Sequence, residues 1–454
     1  MSGIGTVKSG DIVIPATYNG LPVTSIANSA FASVSSNIKA NVKIPDSVTS
    51  IGNSAFSAWA GLTGISIGSG LSSIGSSIFY KCSSLEKITV DAENATFYSE
   101  NNCLIEASTK TLVAGCKASI IPDDVTSIGA YAFYGCTDLT EIDIPVSVAS
   151  LAQACFASCF GLTSITIPDS VLSIGTLAFS YCTGVTELNL NANVRISFTN
   201  LQTLNIGANV TDIGYCYSPA GDYAITLDPD NEKYNLEGDC LIEKDTKKLA
   251  LGCATSVIPD DVASIGDYAF YGCTGLTGID IPDGVTSIGD YAFCGCTGLT
   301  AIDIPSSVTS IGDSAFYGCT GLTAIDIPSS VTSIGDSAFY GCTGLTGIDI
   351  PDGVISIGEY AFSRCSGLAS VVIPSSVTSI ASYAFYRCNS LAKVYYLGTQ
   401  SQWNGISISK TNSSNSNLTS ASRYYFTENG DGETASGNWW YYDADGTIVE
   451  KVVE

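Results

Sequence analysis

Residues 298 to 320 read GLTAIDIPSSVTSIGDSAFYGCT, and residues 321 to 343 repeat that string without a change. The spacing persists on both sides: Phe270, Phe293, Phe316, Phe339, Phe362 and Phe385 fall 23 residues apart, as do Phe133, Phe156 and Phe179. Self-similarity at a fixed period in the low twenties is the mark of a solenoid, whose units cannot bury their apolar faces alone and need neighbours. A 454-residue chain would ordinarily suggest several globular domains, but a stacked array grows its core linearly with repeat number, so one long repeat domain over 1–398 is expected. About sixteen rungs at ~4.8 Å would form a sheet on the order of 75 Å long.

Within one repeat, Leu299, Ile302 and Ile304 are apolar while Ala301 and Asp303 are interspersed, a period of two that predicts a short strand with Ile302 and Ile304 inward. Pro305 cannot donate to a ladder, so the strand ends there. Val308 and Ile311 mark a second short extended segment on the far side. Gly312 permits a turn, after which Asp313 or Ser314 is expected to cap one helical turn that holds Ala315, Phe316 and Cys319 inward. The fold class expected is therefore a β-rich α/β solenoid: one parallel sheet face, short helical turns opposite, and a small cap at the C-terminal end.

Composition narrows the function classes. Charged residues make up only 13% of the chain and the net charge is −25, from 43 acids and 18 bases, so nucleic acid and acidic membranes are repelled. No histidine is present, which removes Ser/His/Asp and Cys/His nucleophile arrangements and the commonest general base near neutral pH. Positions copied in many repeats do not make a singular active site, so no enzyme is expected. No apolar run approaches the roughly 20 residues of a membrane-spanning helix. The start, MSGIGTVKSGDIVIP, shows no signal peptide pattern.

Ten of the 17 cysteines sit three residues after the repeat phenylalanine, from Cys82 through Cys136, Cys159, Cys182, Cys273, Cys296, Cys319, Cys342 and Cys365 to Cys388. They are a repeat position and are expected to be buried thiols. Cys103 and Cys116 recur as Cys240 and Cys253 with the same spacing, and each pair is a candidate local disulfide.

The pattern L-x-x-I-x-I, a break, then V-x-x-I-G-x-x-A-F-x-x-C resembles a leucine-rich repeat of the BspA-like class. IPDSVTSIGNSAF at 44 to 56, IPDDVTSIGAYAFYGC at 121 to 136 and IPSSVTSIASYAFYRC at 373 to 388 carry the resemblance, which covers about 12 to 398. It implies a right-handed superhelix, and a surface or secreted protein of a host-associated bacterium that binds host proteins or other cells. It supplies no catalytic residues. Extracellular or cell-surface localisation and a monomer follow as expectations, with a protein or glycan as partner.

Regularity fails in three places. The segments 91–121 and 228–258 align with each other, and CLIEASTKTLV and CLIEKDTKKLA each read as strand, polar turn, strand, so inserted hairpins are expected. Between 185 and 227 the AF unit is missing, which predicts a shortened turn that bends the array. The tail, 399–454, holds three of the four tryptophans and is expected to cap the stack. Aromatic faces also pack on sugar rings, so Trp403, Trp439 and Trp440 are candidate glycan contacts, and a spacer anchored to the cell wall through this tail is the alternative function.

If the strand alternation holds, Asp280, Asp303, Asp326 and Asp349 project from the sheet face one above another, with Glu141 and Asp143 in an earlier block. This column is the candidate binding strip for a basic protein surface, with Ca2+ at Asp303 and Asp326 as a further candidate. A second column, Asp267, Asp290, Asp313, Asp336 and Glu359, follows the repeat glycine and is explained by capping.

Overall fold

The computed structural model describes residues 10–34, 37–194, 196–198, 200–213, 216–217, 223–409, 414–427, 438–443, 445 and 447–451. The chain packs as two units, residues 1–218 with 226–232, and residues 219–225 with 233–454. Each is a stack of rungs. In the second unit, Ser-Ile pairs one repeat apart form a narrow parallel ladder through Ser264–Ile265, Ser287–Ile288, Ser310–Ile311, Ser333–Ile334, Ser356–Ile357 and Ser379–Ile380, and a longer step continues it to Ser407–Ile408. This is the far-side extended segment anticipated from Val308 and Ile311. The other face is joined by isolated parallel bridges from Asp280 to Asp303 and from Asp303 to Asp326 and by threonine amides such as Thr300 N, which donates to the Thr277 carbonyl at 3.1 Å, then widens into strands Gly347–Asp349, Ser370–Pro374 and Lys393–Leu397.

Between the two ladders runs the core. Ile302 and Ile304 are buried and Asp303 is exposed, as the period of two requires. The phenylalanines from Phe270 to Phe385 are fully buried and stack along the axis with ring centroids 5.1 to 5.4 Å apart. Removing one such side chain from water contributes about 1.5–3 kcal/mol, and the neighbouring rings supply the surface that removes it. The cysteine thiols sit beside this file and donate back to it: Cys319 Sγ donates to the Phe293 carbonyl at 3.1 Å, and Cys342 Sγ to that of Phe316 at 3.1 Å. The sixteen cysteines whose side chains are described are free thiols, including Cys103, Cys116, Cys240 and Cys253, so the expected local disulfides are absent among them. Cys103 Sγ instead donates to the Ile120 carbonyl at 3.4 Å and Cys116 Sγ to that of Asn102 at 3.9 Å.

The helical turn expected after Gly312 is not a helix. Ser314 and Gly318 adopt left-handed backbone, φ 55° and 71°. Alternate amides therefore point along the stack: Ser314, Phe316 and Gly318 donate to the carbonyls of Asp336, Ala338 and Tyr340 at 2.8, 2.8 and 2.7 Å. The amides between them close local turns, with Tyr317 bonded to Ser314 and Cys319 to Phe316. A helical turn would leave the rung-to-rung amides unpaired, whereas this geometry satisfies both sets.

The second aspartate column belongs to the same edge and also works between rungs. Asp313 N donates to Asp290 Oδ1 at 2.7 Å, Asp336 N to Asp313 Oδ1 at 2.7 Å, and Glu359 N to Asp336 Oδ1 at 2.6 Å. Glycine precedes each because a Cβ at Gly312 would lie 2.5 Å from Asp290 Oδ1 and 2.6 Å from Asp290 N.

The two insertions are strand-forming, as expected, and lie inside the stack. Cys103–Glu106 and Thr111–Ala114 pair antiparallel, Thr111–Leu112 then pair parallel with Ser127–Ile128, and an unanticipated strand, Phe97–Glu100, completes the meander. Tyr234–Glu237, Cys240–Glu243 and Lys248–Leu251 reproduce it in the second unit. Where the AF unit is missing the rung shortens: Glu187 aligns with Thr203, only 16 residues on. Residues 214–215 and 218–222, on which the expected bend depends, lie outside the described residues.

Candidate functional site

Asp280, Asp303 and Asp326 are exposed and aligned in register on successive rungs. The residue two positions earlier on each rung also faces outward and is small: Gly278, Ala301, Ala324 and Gly347. Carboxylates therefore stand beside a low floor. Around Asp260, Asp280 and Asp303 this makes a groove of about 550 Å³, with Gly278 and Ala301 in its floor and Val257, 70% exposed, at its rim. No salt bridge to any of the three is found among the described residues.

Asp349 ends the acidic file. It keeps solvent contact, but crowding strips part of its hydration, and that loss followed by the charge of Asp326 raises its carboxyl above the usual range. Beyond it the file changes chemistry: Asp349 aligns with Val372, Val372 with Tyr395, and Tyr395 with Tyr424. These apolar positions are covered by the tail. Trp439–Tyr442 pairs with Tyr425 and Phe426 and then with Ile448–Lys451, so that fully buried Trp440 packs on Tyr395, Phe426 and Tyr442 and donates from Nε1 to the Tyr396 carbonyl at 3.3 Å.

Glu450 fastens that cover. Lys393 Nζ donates to its two oxygens at 2.6 and 2.9 Å, and the Tyr395 hydroxyl donates to Oε1. Burial alone would raise the Glu450 carboxyl, but the hydrogen bonds from Lys393 and Tyr395 outweigh it and hold the group below its ordinary value. The fold-back was not anticipated from the sequence, although extending the 23-residue step from Asp349 reaches Val372 and Tyr395, where an apolar residue and an aromatic replace the acid.

Trp403, Trp439 and Trp440 are 6, 3 and 0% exposed. Tyr396 packs edge-on to Trp403, Arg423 lies over its ring at 5.7 Å, and Lys451 lies over Trp439 at 4.8 Å. Their ring faces are occupied by the protein itself, which corrects the expectation that they meet a sugar. They hold the tail together. Thr399 begins this segment with a capping box closed by Gln402, and the strand Ser422–Phe426 continues the sheet of Lys393–Leu397, so 399 is no structural boundary.

Glu141 and Asp143 are exposed but belong to the first unit, and no acidic column continues from them. One repeat beyond Asp143 stands Thr166, which leads an uncharged ladder: Asn189 Nδ2 donates to Thr166 Oγ1 at 3.3 Å and Asn205 Nδ2 to Asn189 Oδ1 at 2.7 Å. Nor do three or more acidic, cysteine or histidine side chains converge on one point among the described residues. Ca2+ takes six to eight oxygens, and two carboxylates on neighbouring rungs supply only part of that set.

The repeat geometry has a counterpart in known proteins. The model for the BspA type leucine rich repeat region matches residues 11–115, 114–218, 252–354 and 310–429. The chain belongs to the BspA-type leucine-rich repeat family. Its BspA-type rungs resemble the crystal structure of a leucine-rich cell surface protein from Faecalibacterium prausnitzii, at 29% identity and a TM-score of 0.50, over 87% of this chain and 90% of that one. A leucine-rich repeat protein from Bacteroides ovatus is 25% identical over 92% of each chain, with a TM-score of 0.41. No curated protein matches it. No helix among the described residues is long and apolar enough to cross a membrane.

Proposed function

We propose that this BspA-type chain is a non-enzymatic binding scaffold of the cell exterior, whose second-unit strand face takes a basic segment of a protein partner. The reading rests on one observation: Asp280, Asp303 and Asp326 lie in register on an exposed face beside a floor of small residues. An extended chain bearing Lys or Arg fits such a strip, because the floor admits a backbone while the file meets its charges. The similarity to a cell surface protein from Faecalibacterium prausnitzii supports the location. Adhesion to host extracellular or neighbouring-cell protein is the role this gives the molecule. The alternative, a spacer held to cell-wall glycan by its tail, has less support, because the tail tryptophans are committed to internal packing.

The test is capture from a panel of extracellular matrix proteins by the wild type and by a D303K/D326K variant, with and without Ca2+. Both positions are exposed, so the variant is expected to keep its fold and lose its partner. Binding that survives the double substitution removes this face from the account, and binding that appears only with Ca2+ assigns the file to the ion.

A further inference from the structure

The turn edge of the second unit carries a feature that the strand face does not explain. Just before each file cysteine the backbone is left-handed, and glycine occupies that place at Gly272, Gly295, Gly318 and Gly341, with φ between 71° and 76°. Arg364 and Arg387 occupy it on the next two rungs, with φ 61° and 60°. Side chains rarely adopt this conformation, and a residue kept there against local preference invites a functional reading. Serine, alanine and tyrosine also occur at equivalent positions, as Ser33, Ala58, Ser158 and Tyr181, so occupancy alone is uninformative.

What distinguishes the bases is the ring beside each of them. Arg364 lies 5.6 Å from the Tyr340 ring centre and Arg387 5.3 Å from that of Tyr386. Lys81, the one base at the same place in the first unit, lies 5.1 Å from the ring of Tyr80. In the second unit the rings form a run: Tyr317 stacks on Tyr340 at 4.6 Å, Tyr360 on Tyr383 at 4.9 Å, and Tyr386 meets Tyr383 edge-on at 5.4 Å. The two arginine-bearing turns are neighbours, since Arg364 N donates to the Tyr386 carbonyl at 2.6 Å. Both arginines are exposed and the tyrosines from 340 to 386 are half-buried.

We propose that Arg364 and Arg387, braced on these tyrosines, form a recognition site for an acidic glycan, a sugar chain bearing sulfate or carboxylate groups. A guanidinium resting over a ring still has N–H donors to offer an oxyanion. These are the only two bases between residues 249 and 392, in a chain of net charge −25, and Glu359 beside Tyr360 marks an acidic border. A polymer with closely spaced phosphates would place most of its charge against that negative surface. A glycan spaces its anions with neutral, hydroxyl-rich rings, and along residues 249–392 it meets positive charge only at these two arginines.

The test uses the full chain, with chondroitin sulfate, neutral dextran and a phosphoserine peptide as probes in biolayer interferometry. The variant is R364G/R387G, which restores the residue that neighbouring rungs carry and so keeps the fold. The wild type is expected to bind chondroitin sulfate at 50 mM salt, more weakly at 500 mM, and not to bind dextran. The variant is expected to lose at least tenfold in affinity while its melting temperature is unchanged or higher. Absence of wild-type binding, equal binding by the variant, or tighter binding of the phosphoserine peptide overturns the proposal. A D303N/D326N variant retains glycan binding, which separates this site from the strand face.

Discussion

Replacing Asp303 with Asn keeps the shape of the side chain and removes one charge from the middle of the acidic file. Asp303 pairs in register with Asp280 on one side and Asp326 on the other. Rungs ~4.8 Å apart put each neighbouring pair of charges at a cost of about 1 kcal/mol in water, and roughly 3 kcal/mol at an effective dielectric of 20. All three side chains are exposed, so the aqueous limit applies and two relieved contacts amount to about 2 kcal/mol at most. Urea unfolding at 10 mM and at 1 M NaCl reads this directly, because the screening length falls from about 30 Å to about 3 Å between the two. The D303N protein is expected to be more stable than the wild type by about 1–2 kcal/mol at 10 mM salt and indistinguishable from it at 1 M. The comparison is D313A on the turn edge, which removes the acceptor of Asp336 N and is expected to lose about 1 kcal/mol at 1 M NaCl, a loss that relief from Asp290 and Asp336 offsets at 10 mM. If D303N is less stable than the wild type, or gains equally at both salts, Asp303 is not held among like charges and the file reasoning fails.

Three other outcomes follow from the packing. Phe316→Ala removes a fully buried ring stacked on both sides and is expected to cost about 3–5 kcal/mol in chemical denaturation; a loss under 1 kcal/mol would mean the rungs do not share one core. Tail docking is expected to weaken in acid: the Glu450 carboxyl is held below its ordinary 4.5, so its contribution is present above that pH and disappears as the pH falls through the lower folded value. Lys393, raised by its bond to Glu450, adds a contribution present below 10.5 and lost as the pH rises past its folded value. Tail proteolysis followed across pH checks this, and E450Q is expected to remove the acid limb. Burial raises the Cys388 thiol to about 12 and the Cys319 thiol well above its ordinary value, so thiol labelling at pH 8 is expected to follow unfolding; fast labelling of Cys319 in the native protein would contradict its burial.

The stack was legible in the sequence because both of its determinants repeat. The 23-residue step fixes which residues become rung neighbours, and the alternation at Ile302, Asp303 and Ile304 fixes which face each one takes. What escaped depends on where backbone amides point. Gly312, Asp313, Ser314 and Ala315 look like a capped helical start, yet the left-handed Ser314 turns amides toward the next rung, a conformation that serine does not announce. The Cys103 and Cys116 spacing suggested a bond, but in that hairpin the thiols find carbonyl acceptors. Of the candidate site, the alignment of Asp280, Asp303 and Asp326 could be read from the period alone. The covering of the file beyond Asp349 could not, since Trp440 and Glu450 reach Tyr395 and Lys393 across more than 40 residues of intervening chain with no repeat of their own.

The central claim is that place, and not merely charge, makes the strand face a docking strip, and the two aspartate files allow that to be measured. A fluorescent lysine-rich peptide is titrated with the wild type, with D303N/D326N on the strand face, and with D313N/D336N on the turn edge, the last two losing equal charge. The expected result is an affinity at least tenfold lower for the strand-face pair and within twofold of wild type for the turn-edge pair. Equal losses in both variants, or none in either, contradict the account.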